Sequence, residues 1–174
     1  MEGVGASSRL PDLNDREILE GQAPSLIGTD YAITSGATDQ YNCVAWVLRD
    51  IRNWWEPGLD GAWWPPELGD DESLASFVAC FAHANFMECP GSDLEDGYEK
   101  IAIYVRDDEF QHVAFQRTDG AWSSKLGPRN DIRHGELTWL DGMSPVVGYG
   151  EALLFMRRPR ELHPLADSGG LLLP

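Results

Sequence analysis

Apolar positions recur with a helical period in the first half of the chain and with the alternation of strands in the second. Val44, Val47, Leu48 and Ile51 sit at i, i+3, i+4 and i+7 and predict a helix over residues 42–53. Leu74, Phe77, Val78 and Phe81 predict a second helix, and the preceding Asp70-Asp71-Glu72-Ser73 supplies the acids and the serine that suit a helix start. From Lys100 the pattern changes. Lys100 to Val105, Gln111 to Arg117 and Ala121 to Leu126 read as three strands, parted by Asp107-Asp108-Glu109 and by the hairpin text Thr118-Asp119-Gly120. Gly127-Pro128 closes the third, and Gly148-Tyr149-Gly150 leads to a last strand over Ala152 to Met156. Helices followed by an antiparallel meander predict an α+β domain.

The weakly patterned ends set the expected boundaries. Residues 1–38, rich in Gly, Ser, Pro and Asp, are expected to be irregular, with Ile18, Leu19, Leu26 and Ile27 docking on the core. Residues 39–158 form the domain, and 159–174 a loosely held tail.

Charge narrows the partners. Thirteen basic side chains against 29 acidic ones leave a net charge of −16. That field repels nucleic acid and anionic membranes and suits a cationic partner. No run of apolar residues is long enough to span a bilayer. Met1 to Leu10 lacks an apolar stretch behind a basic start, and the three cysteines, Cys43, Cys80 and Cys89, fit no disulfide scaffold. A reducing cytoplasm is the expected location, with export by a machine that reads no N-terminal signal left open. Phosphate-loop and dinucleotide glycine patterns are absent, so no cofactor is predicted. Cys80, His83 and Cys89 fall short of the four ligands zinc prefers, and no metal is predicted.

The chemistry centres on Cys43. It opens the first predicted helix, where free amides and the dipole favour a thiolate nucleophile. His112 lies in the second predicted strand, next to Val113, Ala114 and Phe115. A thiol, an imidazole to carry its proton and a group to orient the ring are the parts of nucleophilic catalysis by cysteine. Gln40, three residues upstream of Cys43, is a candidate oxyanion donor beside the Cys43 backbone amide. Trp54, Trp55, Trp63 and Trp64 flank a proline- and glycine-rich loop after the helix and are candidates for walling a substrate groove.

In this arrangement the chain resembles the papain-like superfamily, in its compact NlpC-type and amidase-type branch. Asn-Cys-Val-Ala-Trp (42–46) looks like that family's cysteine helix, and His-Val-Ala-Phe (112–115) like its histidine strand. The resemblance covers about residues 38–127 and implies a papain-like fold with N-terminal helices packed on an antiparallel sheet. The family places Asn, Asp, Gln or His on the strand after the histidine, whereas here Trp122-Ser123-Ser124-Lys125-Leu126 holds none. Ser124, Asp131 and His134 are therefore the candidates for the third position, and a Cys–His dyad is the alternative. The chain also resembles an uncharacterised bacterial group that shares Asn-Cys-x-Ala-Trp, Trp-Trp-Pro, Gly-Tyr-Glu-Lys and Ser-Lys-Leu-Gly, with no activity implied. Two functions follow as expectations. One is a thiol hydrolase or acyltransferase acting on a peptide, a protein or a small amide. The other is a non-catalytic acidic module, of immunity or adaptor type, that docks through the tryptophan loop.

Overall fold

Strand β3 (Tyr98–Arg106) is buried from Glu99 to Val105, which accounts for its apolar text on both parities. In the computed structural model, which describes residues 13–144 and 146–161, β3 lies inside an eight-stranded antiparallel sheet. The other strands are β1 (Ala32–Ile33), β2 (Met87–Glu88), β4 (Glu109–Gln116), β5 (Trp122–Lys125), β6 (Asp131–His134), β7 (Gly142–Ser144) and β8 (Val147–Pro159). Their order is β1-β6-β5-β4-β3-β8-β2, with β7 pairing β8. The mixed helix-and-sheet class and the predicted meander agree with this arrangement. Asp107 and Asp108, both at positive φ (54° and 63°), make the tight turn from β3 to β4.

Each face of the sheet carries its own core. Ile101, Ile103, Val113 and Phe115 face helices α2 (Cys43–Val47) and α3 (Leu74–His83). Ala102, Tyr104, Ala114, Trp122 and Ile132 face helix α1 (Leu13–Gln22) and the 3-10 turns at Pro24–Leu26 and Leu137–Leu140. Residues 13–22 and 32–33 are therefore regular structure, where an irregular segment is expected from the sequence. Leu19 and Leu26 do reach the core, while Ile27 is exposed. The C-terminal tail lies outside the described residues from 162 onward.

Helix α2 is shorter than its apolar stripe predicts. It covers five residues, all buried, and ends at Leu48. Arg49 turns left-handed (φ 63°), and Asp50 Oδ1 accepts the amides of Arg52 (2.8 Å) and Asn53 (3.3 Å). A side chain that captures the next amides competes directly with helix propagation. Helix α3 matches its prediction, with the Ser73 side chain accepting from the Ser76 amide. Among the described residues, no helix is long and apolar enough to cross a membrane.

Two irregularities shape the centre of the sheet. Tyr104 pairs His112 but Val105 pairs Phe110, so Gln111 is the extra residue of a bulge. Strand β4 pairs β5 only at Phe115–Ser123 and Gln116–Trp122, so His112 and Val113 have no partner on that side.

Candidate active site

Asn42 caps α2 by accepting from the Ala45 amide (3.1 Å), and its Nδ2 donates to the Trp55 carbonyl (2.7 Å). One side chain thus fixes both the start of α2 and the tryptophan loop. On the far side of α2, Trp46 Nε1 donates to Ser123 Oγ (3.2 Å), which holds the helix against β5. Cys43, 8 % exposed, borders a cavity of about 630 Å³.

The thiol differs from its expectation. Burial pushes it up to about 11, against the opposing pull of the Val113 and Val44 amides and the Lys125 charge. A five-residue helix has little dipole, so desolvation wins. At neutral pH Cys43 carries its proton.

His112 borders the same cavity, but its ring lies on the opposite face from Val113. It packs 4.6 Å from the Tyr149 ring and 5.4 Å from the Tyr104 ring, and no hydrogen bond links it to the sulfur. Burial, then the nearby His134, pushes His112 down to about 3, and burial pushes His134 down to about 4. Both rings are neutral at pH 7.

Their hydrogen bonds then dictate where each proton sits. His134 Nδ1 lies 2.9 Å from the Glu136 carbonyl, which only accepts, so that nitrogen carries the hydrogen. His134 Nε2 is then an acceptor, and Ser124 Oγ, 2.8 Å away, donates to it. Ser124 Oγ in turn accepts from His112 Nε2–H at 3.0 Å. His112 Nδ1 is left with its lone pair and has no hydrogen-bond partner among the described residues.

The three candidates for the third position therefore separate. Ser124 meets His112, and His134 meets Ser124. Asp131 does not join them. Its parity on β6 turns it to the α2 face, where Oδ2 accepts from Tyr41 Oη (2.8 Å). Burial raises the Asp131 carboxyl, partly countered by Ser35, Tyr41 and Lys125. Lys125, fully buried, donates to the carbonyls of Thr38 (2.8 Å), Gly127 (2.6 Å) and Arg129 (2.5 Å). Burial pushes it down to about 8.

Gln40, the other oxyanion candidate, is exposed and off the cavity wall, with its backbone amide donating to Thr38 Oγ1. Trp54 and Trp55 line the cavity, whereas Trp63 and Trp64 do not. Trp63 packs at a tilt against Trp55 with ring centroids 5.3 Å apart, and Trp64 packs edge-on against Phe77. Cys80 is buried, and His83 pairs with Glu67.

Sequence reasoning missed Tyr149. Its signal is the flanking glycine pair: a Cβ on Gly150 would lie 2.2 Å from the Val105 carbonyl oxygen, and one on Gly148 2.4 Å from the Gly142 Cα. Only glycine admits the close backbone approach that lays Tyr149 over His112.

Cys43 and Trp46 lie in α2 and Asn42 caps it, while buried Glu99 binds Arg49 and Arg158 near the start of β3. No curated protein matches the chain. No solved structure matches it either. The family described as Domain of unknown function (DUF7689) matches residues 32–157, more than half of the chain, and the protein belongs to that family.

Proposed function

We propose that the protein is a thiol-dependent acyl hydrolase or acyltransferase of papain-like design, with Cys43 as nucleophile and His112 as base. The observation that carries this reading is the tautomer chain from Glu136 through His134 and Ser124. It leaves an unprotonated lone pair on His112 Nδ1, on a cavity that Cys43 also borders. The order of cysteine helix, histidine strand and polar residue on the next strand supports the papain-like assignment. Three free thiols suit a reducing compartment such as the cytoplasm.

The reaction starts from neutral partners. As the Cys43 sulfur attacks the carbonyl carbon of an amide or ester, its proton passes to His112 Nδ1 by way of a water in the cavity that both residues border. The imidazolium keeps its Nε2–H on Ser124, so positive charge forms at a ring already oriented. The amides of Val113, Val44 and Cys43, which interact with the sulfur, are the proposed donors for the oxyanion. Collapse breaks the bond to the leaving group, which takes the proton from Nδ1 and departs. Water, deprotonated by the same nitrogen, then cleaves the thioester to a carboxylic acid and restores the thiol. A second acceptor in place of water makes the enzyme a transferase.

The test is acylation by p-nitrophenyl acetate at pH 7.5, followed by peptide mapping. Cys43 should acetylate with a burst of nitrophenol. His112→Gln should slow that step by about 10²-fold, the usual loss when a positioned base is removed. Equal acetylation of Cys43 in both proteins, or acetylation confined to half-exposed Cys89, would refute the proposal. The second reading, a non-catalytic acidic docking module, draws support from the raised thiol and from Trp63, which is 41 % exposed. It would then stand.

A further inference from the structure

We infer that the cavity in front of Cys43 is a cation site, and that the acyl group attacked there is presented by a peptide bearing a lysine- or arginine-like side chain. The chemical half of this statement rests on the proposed thiol reaction, while the binding half does not.

Five carboxylates line the cavity, and they come from three separate stretches of chain. Glu56 belongs to the tryptophan loop, Asp71 and Glu72 precede α3, and Asp108 and Glu109 form the β3–β4 turn. No lysine or arginine lines it. Glu56 already accepts from Trp54 Nε1 (2.6 Å), and hydrogen bonds from Ser73 hold Asp71 below its ordinary value. Glu72, Asp108 and Glu109 are exposed.

The lining is also aromatic. Trp54, Trp55 and Phe110 share the lining, and Phe110 stacks on Phe77 at 3.9 Å. Aromatic faces among carboxylates attract a partly desolvated ammonium or guanidinium. A separate feature of the lining is His112. His112 is 1 % exposed, and its Nδ1 is an acceptor with no partner among the described residues. A ligand entering this space meets five carboxylates, ring faces and this acceptor, with only neutral side chains such as Asn42, Ser73 and Gln111 able to donate, so the lining favours positive charge. The volume, about 630 Å³, is that of an ordinary ligand pocket.

The rival explanation is the general field of a chain with net charge −16, which would attract any cation to any part of the surface. The experiment separates the two. The full chain carrying Cys43→Ala, which removes chemistry, is titrated by NMR with a blocked pentapeptide containing one central lysine, and with its norleucine counterpart. The lysine peptide should bind about tenfold more tightly, about 1.4 kcal/mol. The indole N–H signals of Trp54 and Trp55 should move. Adding Glu72→Gln, Asp108→Asn and Glu109→Gln should erase the preference. The control set Glu17→Gln, Asp30→Asn and Asp60→Asn, exposed sites off the cavity, should retain it. Equal binding of the two peptides, binding of neither, or equal loss in both charge sets would overturn the cation site. If Cys43 fails to acetylate while the lysine preference persists, only the catalytic reading falls. If Cys43 acetylates without that preference, only the cation site falls.

Discussion

Ser124 is the residue whose hydroxyl sets the protonation of two rings at once. It is fully buried, as are His112 and His134 on either side. Ser124→Ala leaves a donor on His112 and an acceptor on His134 without partners, which should cost about 1–3 kcal/mol of stability. Instability alone does not distinguish a structural serine from a positioning one, so the tautomer is the decisive readout. Nitrogen-15 NMR of the wild type should show His112 protonated at Nε2 and bare at Nδ1. In Ser124→Ala the two tautomers should mix, and acetylation of Cys43 should slow by about tenfold, within the range general-base catalysis supplies. An unchanged tautomer in the variant would remove Ser124 from the mechanism. The face of Ser124 was legible in the sequence, because Trp122, Ser124 and Leu126 alternate with Ser123 and Lys125. The choice among Ser124, Asp131 and His134 was not. It depends on β6 pairing with β5 so that Trp122 faces His134 and Ser124 faces Ile132, which turns Asp131 away. The state of the thiol was not legible either, since the depth of its burial is a property of the packed fold.

At the scale of elements, α2 is held by its cap more than by its length. Five residues provide few internal hydrogen bonds, and Asn42 joins the helix start to both the amide and the carbonyl of Trp55. Asn42→Ala should therefore lose more than an ordinary cap, about 2 kcal/mol in urea unfolding. It should also release the tryptophan loop, and alkylation of Cys43 by iodoacetamide should become faster. A loss below about 0.5 kcal/mol, the low end for a cap, with unchanged alkylation, would mean that packing alone holds α2. The sequence spoke clearly for α3, whose apolar face and serine cap agree, and for the β3–β4–β5 meander, whose turns carry Asp-Asp and Asp-Gly text. It overstated α2 because Ile51 continues the apolar period after Arg49 has already left helical geometry. It understated α1 and β6. The moment of α1 is diluted by its charged residues, and β6 is four residues long, with two of its charged or polar side chains, Asp131 and His134, buried.

For the whole molecule, the buried histidines set a pH dependence opposite in sign to the one its charge would impose. His112 and His134 titrate near 3 and 4 in the folded protein, against an ordinary value near 6.5. Between about pH 6.5 and 4 the unfolded chain therefore binds more protons than the folded one, and stability falls as pH falls. Each histidine contributes up to about 1.4 kcal/mol per pH unit across that window, a large share of a typical total of 5–15 kcal/mol. The raised carboxyls of Asp131 and Asp141 act the other way, since their folded forms take up protons before the unfolded chain does. So does relief of self-repulsion in a chain with net charge −16, which by itself would raise stability on mild acidification. A melting temperature that drops steadily from pH 7 to pH 5 is therefore expected only if the histidine pair dominates. The double variant His112→Gln, His134→Gln should begin at a lower melting temperature at pH 7 and then stay level or rise as the pH falls. If the wild type is itself level or rising over that interval, the two rings are not buried as neutral bases. The proton chain that makes His112 Nδ1 available to Cys43 would then lose its foundation.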